Sequence, residues 1–124
     1  MPENTFEKEH CIELPVFGYT FHIVITTAFV KSRKSREEFL GKCDYDIPTL
    51  AMCSHGGMYS NFTYLFINPN AGNGTIAHEC YHAICNLFKY VDAEHEEEIF
   101  AYHLSYLVDE IERLKKIKLL NHKK

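Results

Sequence analysis

The chain has 124 residues with 46% hydrophobic content, 24% charged residues and a formal net charge of −4. This length predicts one domain over residues 1–124 with a single core, and we expect frayed tails at 1–9 and 119–124. The mild negative charge gives no reason to expect nucleic-acid binding, and the basic segment 113–124 is interpreted as the solvated end of a helix.

Cysteine usage and hydropathy indicate the compartment. The five cysteines form no C-x-x-C pair, and their odd number prevents complete pairing within the chain, which favours a reducing environment. No stretch reaches the roughly 18 apolar residues of a membrane span, and residues 1–10 lack the apolar region of a signal peptide. The sequence therefore predicts a cytoplasmic protein without membrane contacts.

The first half of the chain predicts a small sheet with one helix. The β-branched and aromatic segments 11–17 and 19–27, with Gly18 between them, predict a hairpin. Segment 32–42 predicts a short polar helix with Ser35 as a possible N-cap.

Two further strands are predicted at 49–54 and 62–68, divided by the turn signal Gly56-Gly57. A helix over 76–90 follows a turn-rich run, with Asn73 or Thr75 as its N-cap. Its core-facing stripe has helical spacing and consists of Ile76, Cys80, Ala83, Ile84 and Leu87.

The most informative motif is H-E-x-x-H, from His78 to His82. Residues four apart lie on one helix face, so both imidazoles can bind one cation from adjacent turns. Zinc accepts such nitrogens in tetrahedral geometry, and Glu79, about 100° round the helix, can reach a water at the metal. The two histidines fall opposite the core stripe, where they suit the lining of a cleft. Cys85 lies on the histidine face, and we interpret it as a thiol at the cleft wall.

A second long helix is predicted after a short connection at 89–91. Acidic residues are concentrated at its start, at positions 92, 94, 96, 97 and 98. An acidic helix N-terminus is explained by the helix dipole alone, so the residues themselves do not identify a metal ligand. The stripe that should pack this helix consists of Ile99, His103, Tyr106, Ile111, Leu114 and Ile117.

These two helical motifs resemble those of the gluzincin metallopeptidases, and most closely the minimal zincin-like proteins of phages and prophages. In that group a small sheet precedes H-E-x-x-H, and an element of the Glu-Glu-x-x-Ala-Tyr type follows, which segment 97–102 resembles. The resemblance covers residues 10–110 and implies Glu98 as the third zinc ligand. Tyr102 then stands four positions beyond, where many gluzincins have an aspartate or asparagine.

The predicted fold class is α+β, a small antiparallel or mixed sheet packed on the H-E-x-x-H helix and a long C-terminal helix.

The predicted function is zinc-dependent peptide hydrolysis in the cytoplasm, the host cytoplasm if a phage encodes the chain. Glu79 is the expected general base. The peptide substrate is expected along a sheet edge, at 49–54 or 62–68. Tyr102 is the first candidate for oxyanion stabilisation; the others are His55, Tyr59, Tyr64 and His103.

Two other classes remain open at this point. A zincin-like regulatory or protein-interaction module would keep the zinc site without general peptidase activity. A structural interaction protein would contain H-E-x-x-H by accident.

Overall fold

The computed structural model describes residues 7–40, 51–55, 60–91 and 97–122. Four strands and four helical segments are formed by these residues, and the strands make one mixed sheet. The predicted α+β class is confirmed at this level. Within the described helices, none is long and apolar enough to cross a membrane.

The described part of the chain begins with the predicted hairpin, but the prediction of its first strand over 11–17 is wrong in its bounds, because residues 15–17 lie in the turn. Strands β1 (Glu7–Leu14) and β2 (Tyr19–Thr26) pair antiparallel. The turn is closed by the amide of Phe17, which donates to the Leu14 carbonyl at 3.0 Å. Gly18 has φ of 63°, a conformation that costs glycine little and other residues more. Residues 7–9, which the sequence placed in a frayed tail, are the first three residues of β1.

The helix predicted over 32–42 is wrong in its bounds and its cap. The described residues form two short helices instead, α1 (Phe29–Lys34) and α2 (Glu37–Leu40). Ser35 is the C-cap of α1, and its hydroxyl donates to the Ser32 carbonyl at 2.7 Å. A serine that bonds a nearby carbonyl in this way competes with helix continuation, which accounts for the break.

Strands β3 (Ala51–His55) and β4 (Phe62–Ile67) complete the sheet, whose order is β1-β2-β4-β3. β4 is parallel to β2 and antiparallel to β3. Because β4 is paired on both sides, it cannot accept an additional strand, and the prediction of 62–68 as a possible substrate edge is wrong. β3 is an edge strand of the described sheet.

Two long helices, α3 (Asn73–Tyr90) and α4 (Glu97–His122), cover one face of this sheet. Their shared core contains aliphatic side chains from the sheet and from both helices, among them Ile23, Leu65, Ile84, Leu107 and Ile111. The opposite face carries a smaller cluster of Val24, Leu40, Tyr64 and Phe66. Polar side chains on one face of the sheet therefore lie near the helices, and those on the other face lie near the smaller cluster.

Candidate metal centre on helix α3

Helix α3 begins after a short turn that leaves β4. The amide of Asn70 donates to the side-chain oxygen of Asn68 at 2.8 Å, and the Ala71 amide donates to the Asn68 carbonyl at 2.9 Å. Gly72 is the N-cap residue, with φ −81° and ψ 168°. The prediction of Asn73 or Thr75 as the cap is wrong, because the helix already includes both residues.

The predicted core stripe of α3 is confirmed. Ile76, Cys80, Ala83, Ile84 and Leu87 are buried, and Phe88 joins them. This burial fixes the rotation of α3 about its axis, because the buried side chains all lie on the helix face that packs on the sheet. The side of α3 that carries the histidines is consequently turned away from the core.

His78 and His82 lie together on that outer side. Both residues are exposed, with 68% of the His78 side chain accessible. Their ring centroids are 4.9 Å apart and their planes are inclined by 77°. Two imidazoles on one tetrahedral zinc ion, at the usual bond length, have centroids about 5 Å apart. The spacing of the rings therefore fits a shared ion.

Glu79 lies on the flank of α3 that faces the edge strand β3. Its side chain is only 17% exposed, and its Oε2 is 4.0 Å from Nε2 of His78. Burial raises the pKa of the Cys53 thiol on β3, and the negative charge of Glu79 raises it further. On the same flank the amide of Asn86 donates to Cys53 Sγ at 3.7 Å. The carboxylate of Glu79 thus lies near both His78 and Cys53 of the sheet edge.

The opposite flank of the histidine face lies against the start of α4. The rings of Tyr81 and Phe100 are tilted against each other with centroids 5.3 Å apart, and Phe88 and Phe100 are 5.2 Å apart. A hydrogen bond to Cys85 raises the pKa of Tyr81. The histidine face is consequently flanked by β3 on one side and the first turns of α4 on the other.

Glu98 and Tyr102 are both exposed on α4, Tyr102 to 71%. Within the described residues, the ligand atoms of Glu98, His78 and His82 do not all lie within 4.8 Å of one another. Sequence reasoning thus identified a histidine pair whose rings lie together. The glutamate that the family resemblance added lies on the neighbouring helix, in its first turn.

The other oxyanion candidates divide between the two faces. Tyr64 is in the cluster on the far side of the sheet, so its prediction is wrong. His103 donates from Nδ1 to the Ile99 carbonyl at 2.9 Å, and its ring packs near Phe17 and Phe88. Tyr59 and the side chain of His55 lie outside the described part of the chain.

Sequence reasoning missed Cys53 and Asn86 as neighbours of the site. Both sit at the contact between β3 and α3. Asn86 could have been found, since it is four residues after His82 and so lies near the histidine face. Cys53 could not, because its position depends on which strand forms the edge.

Comparison of the chain with protein-family models, with curated proteins and with solved structures finds no match.

Proposed function

We propose that this chain is a minimal zinc-dependent metallopeptidase of the gluzincin type. The observation that carries the proposal is the pairing of His78 and His82, with ring centroids 4.9 Å apart, beside the half-enclosed carboxylate of Glu79. Two imidazoles and a nearby carboxylate that is not needed as a ligand are the groups that zinc-assisted hydrolysis requires.

In this proposal His78, His82 and Glu98 hold the zinc ion. The donor set of two imidazoles and one carboxylate is typical of catalytic zinc, and it leaves the fourth position open. Bound there, zinc would supply Lewis acidity, which makes water more acidic and polarises the peptide carbonyl. Glu98 is proposed because it lies in the first turn of α4, the helix whose Phe100 packs against Tyr81 beside the histidines.

Glu79 acts as the general base. It accepts a proton from the attacking water and passes that proton to the amine of the departing peptide, so the carboxylate is regenerated in each cycle. Its position suits this role, because its Oε2 is 4.0 Å from Nε2 of His78.

Strand β3 provides the proposed place for the substrate. Its only pairing in the described sheet is with β4, and it runs beside the Glu79 flank of α3. An extended peptide could pair with the edge of β3 that faces away from β4 and so bring one of its carbonyls to the histidine face, as in other cases of β-augmentation. Main-chain hydrogen bonds between the peptide and β3 would then supply affinity, and the side chains of the peptide would decide which sequences bind.

One observation favours a second candidate, a regulatory or protein-interaction module that binds zinc and cleaves nothing. Within the described residues, the ligand atoms of His78, His82 and Glu98 do not all lie within 4.8 Å of one another. A site in which side chains must move to bind zinc could serve as a metal-dependent conformational element instead of a catalytic centre.

The decisive experiment combines zinc analysis with cleavage of an unbiased peptide mixture. The substitution Glu79→Gln preserves shape and all three proposed ligands, so the zinc content should equal that of the parent chain while hydrolysis falls by at least about 10²-fold. Glu97→Gln, an exposed glutamate on α4, is the matched control and should leave both quantities unchanged. Stoichiometric zinc without any cleavage would support the regulatory module. Equal cleavage by the Glu79→Gln variant would contradict the proposed mechanism.

A further inference from the structure

The sheet face opposite α3 and α4 carries a second group of metal-binding side chains. Successive strand residues point to opposite faces, and Ile12 of β1 is buried in the core under the helices. Glu9 and Cys11 therefore point to the other side. On β2, His22 stacks on Tyr64 of the small cluster, so it points to that side as well.

The hairpin register brings these three side chains together. Cys11 is directly opposite His22 in the antiparallel pair, and Glu9 is two residues from Cys11 on the same face. Nδ1 of His22 is 2.9 Å from Glu9 Oε2 and 3.4 Å from Cys11 Sγ. One possible ligand atom from each residue lies within 4.8 Å of the other two.

We propose that Glu9, Cys11 and His22 form a second metal site, which takes zinc or another borderline-soft divalent cation and is independent of the H-E-x-x-H motif. One thiolate, one imidazole and one carboxylate are a donor set that zinc accepts, with a fourth position left for water. This site goes beyond the proposed peptidase function, because it lies on the other face of the sheet and uses none of the same residues.

The distances support this assignment. In a tetrahedral zinc site with ordinary bond lengths, a nitrogen and an oxygen ligand are about 3.4 Å apart, and a sulfur and a nitrogen ligand about 3.6 Å. The observed separations of 2.9 Å and 3.4 Å are a few tenths of an ångström shorter. Inserting an ion therefore requires only a slight spreading of the side chains, without any change in the strands.

Neighbouring residues hold two of the ligands in place. The His22 ring is stacked on Tyr64 with centroids 4.3 Å apart and planes within 8°. Arg36 donates to Oε1 of Glu9 at 2.8 Å and to Glu7 at 2.9 Å, so Oε2 of Glu9 is left facing His22. Hydrogen bonds of this kind orient metal-binding carboxylates in known sites.

Arg36 also argues for the competing explanation. Its guanidinium and Glu9 form an ion pair, and the three side chains together could be a hydrogen-bonded surface network with no ion. The two explanations differ in whether a proton is released to the solvent when a cation is added. A cation at Nδ1 of His22 would leave the proton of the neutral imidazole on Nε2, and it would displace the proton of the Cys11 thiol to the solvent, whereas the hydrogen-bonded network alone would release no proton.

Cobalt(II) titration of a His78→Ala/His82→Ala double variant tests the site apart from the H-E-x-x-H motif. We expect one equivalent to bind with a thiolate-to-cobalt charge-transfer band, since Cys11 is the proposed sulfur ligand. Adding Cys11→Ala should remove the band, and adding His22→Ala should weaken binding by at least about 10-fold. Cys85→Ala is the matched thiol control, because Cys85 is on the histidine face of α3, and it should retain the band.

The second readout uses the unaltered chain. One equivalent of zinc beyond that held by the H-E-x-x-H site should slow alkylation of Cys11 by iodoacetamide, measured by peptide mass mapping. Absence of a charge-transfer band in the double variant together with unchanged alkylation of Cys11 would overturn the proposal. If the H-E-x-x-H residues bound no zinc, the charge-transfer band and the protection of Cys11 from alkylation would still be expected. The two experiments therefore separate a failure of the proposed peptidase site from a failure of the site at Glu9, Cys11 and His22.

Discussion

The ammonium group of Lys115 donates a 2.6 Å hydrogen bond to the carbonyl oxygen of Ala71. Lys115 lies well along α4, only 9% exposed, and Ala71 lies just before α3 begins. The bond therefore ties α4 to the turn from which α3 starts, and these two helices carry the proposed zinc ligands. Glu112, whose carboxylate is 3.7 Å from the same ammonium, provides the charge that makes this burial tolerable.

Removing this bond should lower stability. Lys115→Met keeps most of the apolar stem but leaves the buried Ala71 carbonyl without its donor, which should reduce the free energy of unfolding by about 1–3 kcal/mol. Urea denaturation at neutral pH measures the change. Lys116→Met is the matched control, because Lys116 is exposed one residue further on, and it should change stability by no more than about 0.5 kcal/mol. Equal effects of the two substitutions would contradict the role of the bond.

Zinc content should depend on the histidine pair of α3. The chain is purified without a histidine tag and with Cys11 replaced by alanine, so that the second proposed site does not contribute. It should retain about one zinc ion. His78→Ala or His82→Ala should remove this ion, since each variant loses one of three ligands. His10→Ala is the control. His10 lies on β1, at the other edge of the sheet from β3, and its substitution should leave the zinc content unchanged. Elemental analysis after extensive dialysis gives the ratio, and full zinc in both α3 variants would disprove the ligand assignment.

The identity of the third ligand can be tested between two neighbouring glutamates. Glu98→Ala should weaken zinc binding strongly, whereas Glu97→Ala should not, because adjacent helical residues point about 100° apart. Competition with a chromophoric chelator gives both affinities. A larger loss in Glu97→Ala would move the ligand by one residue. No loss in either variant would indicate a site formed by the two histidines and would favour the regulatory alternative.

Much of α3 could be predicted because one physical signal dominates there. The apolar residues repeat at helical spacing, which fixes both the existence of the helix and the outward position of His78 and His82. On α4 the same reasoning was only partly right. Ile111 and Leu114 are buried as predicted, but Ile99 and Tyr106 are about half exposed. The predicted stripe mixed two helix faces, because apolar residues occur on both sides of this helix.

The order of the strands could not be predicted. Placement of β4 between β2 and β3 depends on pairing across some forty residues, such as Phe21 with Thr63, and no local pattern encodes it. The group of Glu9, Cys11 and His22 was missed for a different reason. Because β1 was expected over 11–17, Glu9 was placed in a tail, and a hairpin turning at Gly18 alone would have put Cys11 opposite Ile25 and not opposite His22.

Acidification should lower the free energy of unfolding partly through protonation of Glu9. Burial alone raises the pKa of this carboxyl, but hydrogen bonds from Arg36 and His22, with their positive charges, outweigh it and lower the pKa below 4.5. A lowered folded-state pKa means that the carboxylate contributes stability above about pH 4.5, and that this contribution is lost as the pH falls through the folded-state value. Since Glu9 is partly exposed, we expect a contribution of about 0.2–1 kcal/mol.

The measurement compares the free energy of unfolding of the parent chain and of Glu9→Gln, with a chelator present so that no metal contributes. The parent should be more stable at pH 7, and the difference should shrink towards pH 3, where the carboxyl becomes protonated and resembles the amide. Glu13→Gln is the control on the same face of β1, and its difference from the parent should show no comparable decrease. A Glu9→Gln difference that grows on acidification would reverse the sign of the linkage and contradict the lowered pKa of Glu9.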